Sequence, residues 1–158
     1  MKKIIIFIIL CVSLLTYFLY ENTMYRVVSR STDAVLSKKS LITIAENNTK
    51  VVLATDENGD THAFLVERGT VIQRVKLPQG NVTDEQVGWQ MMGKDTKIII
   101  GAIFNPQIES LEMKGIEKVS YLNYTDKRLF YSFSTTLDVP IFITGFNKDH
   151  RIIYSNIP

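Results

Sequence analysis

The 158-residue sequence predicts a mostly β protein: an N-terminal transmembrane helix, then an antiparallel β-meander, then a β-sandwich-like (immunoglobulin-like) or partial-barrel domain. Three observations carry this expectation. Ile4 to Tyr20 runs without a charge. Asn58-Gly59 stands between two β-rich runs, the strongest short hairpin signal, because both turn residues must tolerate positive φ. From Lys97 onward, short apolar and aromatic runs recur at intervals of about 8–12 residues, as antiparallel layers require.

The first element is an anchor. A helix over residues 4–20 is about 25 Å long at about 1.5 Å per residue, close to the hydrocarbon thickness of a bilayer. The apolar core of a cleavable leader is shorter, about 7–15 residues, and ends in small residues. Here the run closes Tyr17-Phe18-Leu19-Tyr20, with bulky side chains where a peptidase needs small ones. Cys11 is preceded by Leu10 rather than a small residue and lies mid-span, so it is no lipidation site. Retention is the expectation, and secretion after cleavage the alternative. Lys2 and Lys3 precede the span, which predicts residues 1–3 as a cytoplasmic tail and the rest outside the cell membrane, although Arg26 and Arg30 beyond the span make that bias slight.

The formal charge of +2 comes from Lys2 and Lys3, so the remaining chain balances its acids and bases. A neutral domain argues against a nucleic-acid partner, which would need a basic face. No Cys follows position 11, so no disulfide is expected in the exported part.

Residues 21–40 are polar, lack Pro and Gly, and read as a juxtamembrane stalk able to continue the helix for a few turns. The β domain spans 41–158, divided into a meander (41–77), a connector (78–96) and a sandwich-like part (97–158). With Asn58 and Gly59 as the two loop residues, Lys50 faces Glu67, Val51 faces Val66, Val52 faces Leu65 and Leu53 faces Phe64, which joins opposite charges and apolar pairs. Arg68-Gly69 makes the next turn, and a third strand runs over 70–76. In the connector, Thr83 and Gln86 have capping-box spacing, which predicts a helical turn near 84–91. Trp89, Met91 and Met92 read as a plug packed on a sheet. Six strands are predicted over 97–104, 108–113, 118–124, 128–135, 139–146 and 151–155. Leu129, Tyr131 and Phe133 alternate with Phe130, Ser132 and Ser134, a half-buried pattern. Pro140 puts the fifth of these strands at an edge or at a bulge.

No residue stands out as catalytic, cofactor-binding or metal-ligating. The calcium-loop reading of residues 56–60 fails, because Gly59 is fourth rather than sixth. His62 and His150 each lie beside a turn and read as surface residues rather than ligands. No G-x-S-x-G, P-loop or S-x-x-K motif is present. Paired carboxylates, Asp84-Glu85 or Glu109 with Glu112, cannot be told from solvated charges.

Several stretches together resemble small membrane-anchored exported proteins of Gram-positive bacteria: the basic start and anchor, GWQMMG (88–93), IIIGAIFNPQIESLEM (98–113), RLFYSF (128–133) and ITGFNKDHRIIYS (143–155). One departure is Asp149-His150, where such a closing hairpin would carry Asp-Gly. The resemblance implies topology and fold, and carries no activity or functional residue over. The expected function is a non-enzymatic binding or interaction module at the envelope, held in the bilayer by residues 4–20, with an envelope protein or glycan as partner. The alternatives are a carboxylate-type hydrolase, which needs a concave site with two close acids, and a small-ligand sensor built around Trp89.

Overall fold

The structure is a computed structural model that describes residues 2–80, 85–137 and 139–157. It is mostly β, with antiparallel sheets behind one N-terminal apolar helix. Helix α1 (Lys2–Ser29) is unbroken, and a 3-10 turn (Lys38–Ser40) follows it. The strands are β1 (Ile42–Glu46), β2 (Thr49–Thr55), β3 (Thr61–Glu67), β4 (Thr70–Lys76), β5 (Val87–Met92), β6 (Lys97–Ile103), β7 (Ser110–Met113), β8 (Ser120–Tyr124), β9 (Lys127–Ser134), β10 (Ile143–Phe146) and β11 (Ile152–Ser155). They form three sheets, ordered β1-β2-β3-β4, β5-β6-β9-β8 and β11-β10-β7.

Three apolar clusters hold the layers together. Met24 and Val28 of α1, with Leu36, cover Val52, Ala54, Phe64 and Val66 on the outer face of the first sheet. Val51, Leu53, Ala63 and Leu65 on its inner face meet Met92, Ile98, Ile100 and Leu129 of the second sheet. The far face of that sheet presents Val87, Ile99, Ile103 and Phe130 to Leu111, Met113 and Ile143 of the third, and to Ile108 just before β7. The order is therefore helix, sheet, sheet, sheet. It explains why KIIIGAI lacks an in–out alternation: Ile98–Ile103 is buried throughout because both faces of β6 are covered. In β9, Leu129, Tyr131 and Phe133 face the first sheet while Phe130 faces the third. Gly101 lets this happen, since a Cβ there would lie 2.6 Å from the Phe130 ring.

Met24 and Val28 are one helical turn apart and share a face, so residues 21–40 are more than a spacer. Beyond α1 the chain is tied down again, with the Ser37 amide donating to the Thr55 carbonyl at 2.8 Å and the Glu57 amide to the Val35 carbonyl at 3.2 Å. The apolar part of α1 is left bare: residues 4–20 are exposed in this structure. The helix over Ile4–Ser29 contains an 18-residue stretch with a mean hydropathy of 2.4, and is long and apolar enough to cross a membrane.

Four sequence expectations are corrected. The first hairpin pairs one residue out of the expected register: Lys50 lies opposite Val66, Val51 opposite Leu65, Val52 opposite Phe64 and Leu53 opposite Ala63. The cause is Asp56. Its carboxylate accepts the Asn58 and Asp60 amides, each at 2.9 Å, and its own amide donates to the Asp60 carbonyl at 2.9 Å, which makes a longer loop with Gly59 at φ +81°. The shift keeps each strand's two faces separate, one for the helix and one for the second sheet. Next, no helical turn occupies the described residues of the 84–91 stretch, 85–91. Val87–Met92 is strand β5, where pairing along β6 from Ile103 to Ile98 outweighs the weak capping signal; Thr83 and Asp84 lie outside the described residues. Trp89, Met91 and Met92 accordingly belong to a sheet rather than sitting on one. Finally, β10 is the central strand of its sheet. Its ladder starts at Ile143, past the cis Val139–Pro140 bond, so the proline removes no pairing, and the register shift falls at Gly145/Phe146 instead. The turn expected at Asp138 lies outside the described residues.

Candidate ligand cleft

A concavity of about 560 Å³ opens where the first and second sheets part at one end. Its walls are the β1–β2 turn (Glu46, Asn47, Thr49), the segment 115–118 after β7, and the last residues of β9 with the turn beyond it. Asn47 closes the β1–β2 turn at φ +53°, a conformation its short polar side chain tolerates. The Ser132 hydroxyl donates to the Lys118 carbonyl at 2.8 Å and so fastens one wall to β9.

The cleft exists because β9 outruns β8. The β8 ladder ends with Ser120 opposite Tyr131. On its other side β9 continues to pair, Ser132 with Ile99, Phe133 with Ile98 and Ser134 with Lys97. The last residues of β9 thus have a neighbour strand on one side only. The lining is rich in hydroxyls (Thr49, Thr96, Ser120, Ser134, Thr135, Thr136), and Tyr131 and Phe133 stand edge to face with centroids 6.1 Å apart. Such a surface can hydrogen-bond an extended chain and pack against its apolar side chains. Two carboxylates, Glu46 and Glu117, are at the rim and exposed.

The residues weighed from sequence lie elsewhere. His62 is a correction: it is 3 % exposed, not a surface turn residue, because the longer loop places it within β3 opposite Ala54. Its Nε2 lies 3.0 Å from the Asp56 carboxylate, and its Nδ1 is buried without a partner. Burial alone would push the Asp56 carboxyl up, but the His62 hydrogen bond, the Asp60 and Asn58 amides and the nearby His62 charge together hold it below the ordinary range. His150 is an exposed turn residue at φ +56°, so Asp149-His150 does use the left-handed region where a glycine would be easier. Trp89 is half-buried toward the third sheet and does not line the cleft. Glu85, Glu109 and Glu112 are exposed, and Asp84 lies outside the described residues. Among the described residues, no three His, Cys, Asp or Glu side chains gather as a metal ion would need. One further buried group joins the layers: Thr55 Oγ1 of the first sheet donates to the Tyr124 hydroxyl of the second at 3.1 Å. Burial pushes the Tyr124 hydroxyl up, and the Ser40 and Thr55 hydroxyls partly oppose this.

Sequence reasoning missed the cleft. Its only signal was the hydroxyl run Ser132-Phe133-Ser134-Thr135-Thr136, which reads equally well as the polar face of a strand. Compared with protein-family models, curated proteins and solved structures, the chain matches none.

Proposed function

We propose that the chain is a membrane-anchored, non-enzymatic binding module of the cell envelope, and that it takes an extended polypeptide segment into this cleft. The N-terminus lies in the cytoplasm and the β-sandwich-like layers lie outside. The observation that carries the reading is the unpaired side of β9 at Phe133 and Ser134, past the point where Ser132 is fastened to Lys118, beside hydroxyls and an aromatic pair. A strand end of this kind recruits a partner strand through backbone hydrogen bonds, while pockets for alternate side chains give selectivity. The absence of Cys beyond Cys11 fits a Gram-positive envelope, where exported domains do without disulfides.

The test is crosslinking of full-length protein in its native membrane, with a photoreactive residue at Thr135. A discrete adduct with an envelope protein, abolished by Ser134→Pro, is the expected result. Adducts only with lipid, or none, overturn the reading. Glycan adducts would keep the site and change the partner class.

The carboxylate-hydrolase alternative retains one favourable observation, the placement of Glu46 and Glu117 on the same cleft. Both are exposed, whereas an acid catalyst of this type is kept protonated by apolar surroundings. Glu46→Gln and Glu117→Gln should leave partner capture intact. Loss of a hydrolytic activity on either change would favour the enzyme.

A further inference from the structure

The order of contacts along α1 fixes how the sheets stand relative to its apolar run. Tyr20, at the end of that run, has the Lys50 ammonium of β2 5.3 Å from its ring centroid. Met24 and Val28 cover Val52 and Ala54 of β2 and Phe64 and Val66 of β3. Val27, Arg30 and Ser31 line a small hollow with Gly69, Thr70 and Val71 at the start of β4, and Arg74 of β4 donates to the Thr32 hydroxyl. The helix therefore crosses the strands of the first sheet, from the β1–β2 side to β4. The lengths agree: the helix rises about 15 Å between Tyr20 and Arg30, and three gaps of about 4.8 Å between four strands make about 14 Å.

The second sheet is stacked in the same order. The Tyr124 hydroxyl of β8 accepts from Thr55 of β2 at 3.1 Å, the Lys127 ammonium at the start of β9 donates to Thr61 of β3 at 3.5 Å, and the Gly93 amide just past β5 donates to the Gln73 side chain of β4 at 2.8 Å. β8 is thus the edge nearest the apolar run, and β5 the edge farthest from it. The unpaired side of β9 at Phe133 and Ser134 faces the β8 edge. The cleft accordingly opens toward the apolar run, level with the β1–β2 turn that lines it.

We infer, on the reading of α1 as a span and of the cleft as a strand-binding site, that the segment it takes is juxtamembrane: the residues just outside the span of a second membrane-anchored protein, extended along the headgroups beneath β9. The open side of β9 then looks onto the headgroups across a layer about one strand thick. A segment tethered in the same membrane is held in that layer at high effective concentration, whereas a free polypeptide has to enter it from solution. A second copy of this chain does not qualify, because its own residues beyond the span stay helical to Ser29 and are packed on the first sheet.

The test maps the residue of the partner that joins to the photoreactive group at Thr135, with full-length protein in its native membrane. The expected position lies within about ten residues of the partner's span, since an extended chain covers about 3.3 Å per residue. A crosslink more than about twenty residues from any span, or in a partner without one, would leave strand binding standing and overturn the juxtamembrane assignment. Adducts only between two copies would overturn it too. Adducts only with lipid, or none, would overturn both. A second variant inserts seven alanine-rich residues between Tyr20 and Glu21, which lifts the layers by about 10 Å while Met24 and Val28 keep their seat. It should melt like the parent and lose about tenfold in adduct yield. An undiminished yield would overturn the assignment. Release of the parent by alkaline carbonate would remove the span, and the assignment with it.

Discussion

At the scale of single residues, the first turn sets the register of the whole meander. Gly59 sits at φ +81° with nothing within 4 Å of a Cβ built there, so any penalty for a side chain is backbone strain rather than a clash. Gly59→Val should therefore cost about 1–3 kcal/mol in denaturant unfolding, while Gly59→Asn costs far less because Asn tolerates positive φ. Equal melting of parent and valine variant would mean the loop has another conformation. Asp56 makes the turn pH-sensitive. Its folded pKa lies below the unfolded value of about 3.9, so its stabilising effect is complete above that pH and is lost as pH falls through the folded pKa. Asp56→Asn should lower stability at pH 7, and the gap to wild type should close in melts taken progressively below about pH 4. A gap that stays constant with pH would show that the carboxylate's charge is not what the loop uses. The Asn-Gly signal located this turn correctly. It could not reveal that a side chain two residues earlier competes for the loop amides and lengthens it. His62 was misread for the same reason: one residue of register separates a turn flank from a buried strand position.

At the scale of elements, α1 serves two environments. Residues 4–20 are bare in the structure, while Met24 and Val28 are buried on the first sheet. A chain beginning at Ser37 loses Met24, Val28 and Leu36 and uncovers Val52, Ala54, Phe64 and Val66. Burying a side chain of this size contributes about 1.5–3 kcal/mol. The Ser37 chain should melt several degrees lower than one beginning at Asn22 and should self-associate, as sedimentation or light scattering would show. Equal melting and a monomeric Ser37 chain would mean that the helix contact is dispensable. Nothing in the polar composition of 21–40 announced this contact, because two apolar residues one turn apart make a very short stripe. The strands were far more legible. Turn residues punctuate them, and β-branched and aromatic runs are long enough to stand out. The connector strand β5 was the exception, because its Gly, Gln and Met residues carry little β signal.

At the scale of the whole molecule, the class was readable and the stacking was not. Short antiparallel strands follow from local pattern, but which sheet each strand joins depends on contacts far apart in sequence. β7 leaves its neighbours β6 and β8 to pair with β10. The cleft arises from the unequal lengths of β8 and β9, a difference of a few residues that no local signal records. If α1 spans the bilayer, alkaline carbonate should leave the full chain in the membrane pellet, and protease added outside wall-free cells should degrade the β layers. A soluble form whose N-terminus lies within 21–35 would show cleavage, and protection from the protease would invert the topology. The continuity of α1 has a mechanical meaning as well. Flexible tethers let a binding head sweep a volume that grows with linker length, and so search for targets deep in a wall. If α1 spans the bilayer, the span and the seat of the domain are one rod without a joint, since α1 is helical from Lys2 to Ser29 and its last turns are clamped to the first sheet. The β layers would then ride at one standoff height and one tilt, so that a partner of the proposed module would have to come to the bilayer surface, and any rotation of the rod within the lipid would turn the cleft by the same angle.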